Sequence, residues 1–190
     1  MAMTSDTYPN AVSWIRVMRP LAWGGAGLLL LAPWVAMRFT HDVAWTAGDF
    51  IVFGAMLLTA CVAFEMAMHM ARVPSYLLAS LVAIGAAFLL LWANLAVGIV
   101  DEPGHPANLL FLGVLAVGAI GGGLVRLQAR GMSRVMAAMA VVQGGAGAIA
   151  VRMDTQESPA FVLAFTGLYV VAWCVSALLF RKASKATPTG

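Results

Sequence analysis

The feature that most constrains this chain is a series of six apolar stretches, each close to twenty residues long. A helix rises about 1.5 Å per residue, so about 20 apolar residues cross the roughly 30 Å of hydrocarbon in a bilayer. A helix also satisfies its own backbone hydrogen bonds where no water is present. The six stretches are residues 21–39, 49–70, 76–100, 109–127, 134–152 and 159–180.

Composition supports a membrane environment. Of the 190 residues, 62% are hydrophobic and 10% are charged, whereas a soluble domain carries about 25% charged residues. The sequence therefore predicts an all-α, polytopic transmembrane bundle of six helices with short loops over residues 21–180. Segment 1–20 is expected on the cytoplasmic side and 181–190 as a basic cytoplasmic tail. Residues 11–19 form either an amphipathic helix on the membrane surface or the start of the first span.

The distribution of Lys and Arg predicts the orientation, because cytoplasmic loops carry an excess of these residues. With the N-terminus inside, only Arg38 and Arg152 of the 11 basic residues fall on the outer side. The expected topology therefore has both termini in the cytoplasm, and the expected location is a bacterial inner membrane. The inner basic residues are Arg16, Arg19, Arg72, Arg126, Arg130, Arg134, Arg181, Lys182 and Lys185.

Four polar side chains inside the predicted spans are candidates for an intramembrane polar or ion site. Glu65 and His69 are four residues apart, so they share one helix face. A carboxylate inside the bilayer is costly unless it is paired or protonated. Glu65 is therefore interpreted either as paired with His69, Arg72 or an arginine of the loop between the fourth and fifth helices, or as a proton or cation site. Asn94 and Gln143 form either interhelical hydrogen bonds or substrate contacts.

Small residues in the fourth and fifth stretches are candidates for close helix packing. Gly118 and Gly122 are four residues apart, as are Ala140 and Gly144, and Ala148 continues the second series. This spacing lets helix backbones approach closely in lipid. The pattern predicts packing within the bundle, with a dimer face as the alternative.

The sequence contains no motif for catalysis, phosphate binding or metal coordination, so we expect no enzyme activity, metal or cofactor. Cys61 and Cys174 lie in apolar stretches and are expected to be small buried side chains. The basic residues occur in short patches, which favours a membrane surface over nucleic acid. The expected partners are the lipid bilayer and either a second copy or another membrane protein.

The leading functional hypothesis is a small scaffold or accessory membrane protein that acts through helix packing. The alternative is a transporter or channel for protons, cations or a small solute, in which Glu65 and His69 carry the function.

Three segments resemble a family of small, uncharacterised bacterial membrane proteins. They are LAPWVAMRFTHDVAWTAGDFI at 31–51, AFE at 63–65 and LWANLAVG at 91–98, and the similarity covers about residues 25–100. The family pattern has a first helix ending in Pro and Met-Gln-Phe-Thr, an acidic outer turn with Trp, and a second helix ending in an aromatic residue and Glu. This chain carries Arg38 in place of Gln, and Asn94 where relatives often carry Glu. The resemblance implies the topology and no activity, and the missing Glu weakens a proton path.

Overall fold

The computed structural model describes residues 10–40, 44–153 and 157–186, and every regular element in these ranges is an α-helix. The all-α prediction with six helices is therefore confirmed. The chain divides into two compact units, residues 1–68 and 69–190. The helices are α1 (Asn10–Phe39), α2 (Ala47–Met70), α3 (Pro74–Ala96), α4 (Asn108–Leu124), α5 (Ala129–Ala150) and α6 (Pro159–Ala186).

Five of these helices are long and apolar enough to cross a membrane, as expected of a multi-pass membrane protein. They are α1 from Val17 onward and the whole of α2, α3, α5 and α6. Helix α4 is shorter, with 17 residues, or roughly 25 Å of helix. That length lies at the lower limit for a membrane span.

Helix α4 ends at Leu124 rather than at residue 127 because a left-handed turn follows it. Arg126 and Leu127 have φ angles of 50° and 56°, a region where L side chains crowd the backbone and must be held by their surroundings. Tyr76 of α3 supplies such a contact, because its hydroxyl donates a 2.7 Å hydrogen bond to the Leu127 carbonyl. The Tyr76 ring also packs edge-on against Phe180 of α6.

Helices α1 and α2 run antiparallel within the first unit. Helix α1 is continuous from Asn10 to Phe39 and includes Pro20 and Pro33, so residues 11–19 belong to the same helix as the first apolar stretch. A location of that part on a membrane surface stays a prediction. Leu30 lies beside Gly54, and the Cys61 thiol lies 3.8 Å from the Ala22 carbonyl.

Helices α3 to α6 form a closed ring in the second unit. Helix α3 packs against α4 and α6, and α5 packs against the same two helices. Large side chains from three of the four helices fill the centre and are almost completely buried. They are Leu90 of α3, Phe111 of α4, and Trp173 and Phe180 of α6. This unit therefore has a single core of its own.

Small residues bring α4 close to α5. A Cβ atom added to Gly118 would lie 2.7 Å from the Met139 sulfur, and one added to Gly122 would lie 3.7 Å from the Met132 sulfur. Ala140 is buried, with 8% of its surface exposed. The structure thus places Gly118, Gly122 and Ala140 at or near helix contacts of the second unit.

The structure places Gly144 and Ala148 differently from the sequence interpretation. A Cβ added to Gly144 would have no described atom within 4 Å outside its chain neighbours and the nearby backbone of α5, and Ala148 is exposed. Gly147 makes the close contact instead, because a Cβ there would overlap the side chain of Thr166 on α6. Successive residues are about 100° apart around a helix. Residues 144 and 148 therefore lie about 100° away from the buried face that contains Gln143 and Gly147.

The two cysteines differ in burial. Cys61 is buried, as the sequence predicts, but Cys174 is exposed, so the expectation of burial was wrong for it. Helix α6 is apolar on several sides, and its periodicity does not show which side meets the other helices. Both thiols are free.

Candidate functional site

Glu65 is held by two side chains of α1. Arg19 donates from Nε to both carboxylate oxygens, at 2.9 and 2.7 Å, and its Nη2 forms an ion pair with Oε2. The indole Nε1–H of Trp23 donates a 3.2 Å hydrogen bond to Oε1. The Glu65 side chain is 19% exposed and that of Arg19 is 49% exposed. The negative charge is therefore neutralised and hydrogen-bonded inside the α1–α2 pair.

The geometry of two antiparallel helices explains this pairing. Arg19 and Trp23 are four residues apart on α1 and share a face. The contacts of Cys61 with Ala22 and of Gly54 with Leu30 set the register that brings this face opposite Glu65. Arg19 was not among the partners predicted from sequence, which were His69, Arg72 or an arginine of the loop between the fourth and fifth helices. The sequence does contain an indication of this pair, because Arg19 and Glu65 lie at the same end of two consecutive antiparallel spans and hence at a similar depth in the membrane.

His69 lies near the end of α2 and is exposed. It stands one helical turn beyond Glu65, as the spacing predicts. The contacts of the Glu65 carboxylate with Arg19 and Trp23, however, run to α1. Arg19 and Trp23 are thus partners of Glu65 that the sequence did not predict, and a pairing of Glu65 with His69 stays a prediction.

Asn94 belongs to a hydrogen-bond network at the junction of α3 and α4. Its side-chain nitrogen donates a 2.8 Å hydrogen bond to the backbone carbonyl of Asn108. The Asn108 side chain accepts from the N–H groups of Ile99 and Val100, both at 3.0 Å, and donates to the carbonyls of Val100 and Glu102. An asparagine amide has two donor hydrogens and an acceptor oxygen with two lone pairs, so Asn108 uses its full capacity. Asn94 thus joins a structural network.

The connection that contains this network is folded against itself. Gly98 ends α3 with a φ of +82°, and a Cβ there would lie 2.7 Å from the Asp101 carbonyl oxygen, so only glycine fits. Asp101 accepts a 3.2 Å hydrogen bond from the backbone N–H of Glu157. Its other carboxylate oxygen lies 3.9 Å from Nε2 of His105. The longest connection in the chain is therefore a fixed cap on the second unit.

Gln143 is fully buried on α5, and neither its side-chain nitrogen nor its oxygen has a hydrogen-bond partner among the described residues. Two buried groups on α6, the Thr166 hydroxyl and the Trp173 indole N–H, share this property. An unpaired buried polar group costs about 1–3 kcal/mol. These four buried atoms of the second unit therefore make no hydrogen bond to the described residues.

Of the sequence candidates, Asn94 and Gln143 lie in the second unit, whereas Glu65 lies in the first, together with Arg19 and Trp23. Thr166 and Trp173 were not identified from sequence as companions of Gln143. Their spacing of seven residues, which places both on one face of α6, was the available signal.

Across residues 10–40, 44–153 and 157–186, no three His, Cys, Asp or Glu side chains converge on a point where they could hold a metal ion. Comparisons with models of known protein families, with curated proteins and with solved structures found no match. The chemistry of the polar groups therefore has to be inferred from their own contacts.

Proposed function

We propose that the chain is a small scaffold or accessory protein of the membrane, acting through helix packing with a second copy or another membrane protein. The length of the connections carries this proposal. The longest one between helices runs from Val97 to Ala107, and Asn108 closes it. Such short connections offer little room for a water-exposed active site, so activity would reside in the surfaces that the helices present to lipid and partners.

The use of the charged and polar residues supports the same proposal. Arg19 and Trp23 neutralise Glu65, and Asn94 and Asn108 close the α3–α4 cap. These side chains stabilise contacts between elements of the chain. No residue in the apolar window of α1 is buried. Apolar side chains of that helix are therefore open to lipid or to a partner helix.

We further propose a bacterial inner membrane location with both termini in the cytoplasm. The excess of Lys and Arg on one side of the six stretches supports it. The resemblance of residues 25–100 to small bacterial membrane proteins is part of this proposal.

Purification in a lipid-preserving nanodisc followed by native mass spectrometry tests the scaffold role. We expect the chain in a stoichiometric complex with a second copy or another membrane protein. A matched variant with Leu28→Asn on the exposed face of α1 should weaken that complex, and Leu90→Val in the core should leave it assembled. A chain that is monomeric in native lipid would contradict the proposal.

The alternative is transport of protons, cations or a small solute through Glu65 and His69. The partial exposure of the Glu65 side chain, 19%, favours it, because a mobile ion must be able to reach the carboxylate. Proteoliposomes that contain the protein or Glu65→Gln distinguish the two functions, with Glu102→Gln as an acidic control in an exposed connection. A proton-coupled flux that Glu65→Gln alone abolishes, with the fold retained, would replace the scaffold by a transporter.

A further inference from the structure

Gln143 of α5 and Thr166 and Trp173 of α6 lie along one stretch of the α5–α6 contact, here called the polar layer, in which the two α6 residues are two helical turns apart. Two contacts set the register of α5 against α6: Gly147 meets Thr166, and the Ser133 hydroxyl donates a 2.9 Å hydrogen bond to the Ala177 carbonyl. The helices are therefore antiparallel, and residues with lower numbers on α5 lie opposite residues with higher numbers on α6. Gln143, one turn before Gly147, falls at a height between Thr166 and Trp173.

The third neighbour, α4, encloses the same layer with apolar groups. Gly118 of α4 packs against Met139 of α5. One turn further in the antiparallel direction, Val114 stands at the height of Gln143, and both are fully buried. Helix α3, on the far side of α6, carries the fully buried Leu90. The buried side chains that α4 and α3 contribute here, Val114 and Leu90, are apolar, and the other unpaired polar atoms among the described residues lie on α6.

The chemistry of the three side chains defines what would satisfy them. The Trp173 indole N–H can only donate, the Gln143 amide can donate twice and accept, and the Thr166 hydroxyl can donate once and accept. No residue of α3 or α4 is charged. The charged residues of α5 and α6 lie at Arg130, Arg134 and from Arg181 onward, toward the helix ends. A ligand that matches these groups is therefore small and neutral, and it can both donate and accept hydrogen bonds.

We propose that this layer is a buried binding site for water, in which Gln143, Thr166 and Trp173 hold one or more bridging molecules between α5 and α6. Buried waters typically make about three hydrogen bonds to polar groups that otherwise lack partners. Three side chains with four unpaired atoms supply that number. The site links two helices by polar contacts at a place where lipid and apolar side chains supply none.

Nuclear magnetic resonance of the full chain in micelles, with 15N-labelled tryptophan, tests the proposal. Trp173→Phe identifies the Trp173 indole signal among those of the six tryptophans. We expect a nuclear Overhauser cross-peak between that indole N–H and water. The cross-peak should disappear in Gln143→Leu and in Thr166→Val, while Thr59→Val, which removes an exposed hydroxyl of α2, should retain it.

The wild-type spectrum alone can overturn the proposal, and the variants are compared with it only where their spectra show that they are folded. A cross-peak to water that both substitutions remove supports the site. A cross-peak from the Trp173 indole N–H to added glycerol or urea, with none to water, rejects water as the occupant and overturns the proposal as stated. Absence of any cross-peak from the Trp173 indole in the wild type also overturns it, because the three side chains would then be unpaired in solution.

Discussion

At the scale of single residues, the Arg19–Glu65 pair is the clearest determinant of the α1–α2 contact. We expect Arg19→Met to lower the free energy of unfolding in detergent, because the substitution leaves a partly buried carboxylate with fewer hydrogen bonds. Adding Glu65→Gln should recover part of the loss, since it removes the charge and keeps an acceptor for Trp23. Denaturant titration followed by circular dichroism measures both. Equal stability of Arg19→Met and the double variant would show that the charge is not the cause.

Asn108 offers a second residue-scale prediction. Its side chain accepts hydrogen bonds from two buried backbone N–H groups, and Asn108→Ala leaves both unpaired. We expect a loss of at least about 2 kcal/mol in unfolding free energy. Asn108→Asp keeps the acceptor and should lose less, and Leu109→Ala, at an exposed neighbour, should change little. A thermal midpoint of Asn108→Ala that matches Leu109→Ala would refute the structural role of the network.

At the scale of helices, Gly147 controls how closely α5 and α6 approach. Gly147→Ala should destabilise the protein, because the new Cβ would overlap the side chain of Thr166. Gly145→Ala is the matched control: it has open space around its Cβ, and alanine favours a helix over glycine by about 1 kcal/mol. Scanning calorimetry in micelles should therefore give a lower midpoint for the first variant and an equal or higher one for the second. The reverse order would mean that the α5–α6 contact is formed by other residues.

At the scale of the whole molecule, the proposed orientation makes six simultaneous predictions. Reporter tags inserted near residues 44, 104 and 155 should appear outside, and tags near residues 73, 130 and 185 should stay inside. The physical reason is the cost of moving Lys and Arg across the membrane during insertion. Alkaline phosphatase and green fluorescent protein fusions give opposite signals on the two sides. A tag near residue 104 that stays inside would show that α4, the shortest helix, does not span.

Helix termini and side-chain partners differ in how far the local sequence determines them. The Asp-Glu-Pro-Gly-His-Pro segment at 101–106 predicts a break, and the structure has one there, but α3 already ends at Ala96, before Gly98, rather than at residue 100. The left-handed turn at Arg126 and Leu127 was not predicted, because neither residue type favours that conformation. It depends on Tyr76, which lies on another helix. Similarly, the close packing at Gly147 depends on Thr166 of another helix. Spacing along α5 alone does not show that Gly147, rather than Gly144, makes this contact.

The sequence by itself determined the six helices and their membrane character, because length, apolar content and backbone hydrogen bonding are local properties of each stretch. The tertiary structure decided which polar groups are paired: Glu65 with Arg19 and Trp23, Asn94 with Asn108, and Gln143 with no side chain among the described residues. Those partners follow from the register between helices. Helices that are apolar on nearly every side carry little information about that register in their own sequence.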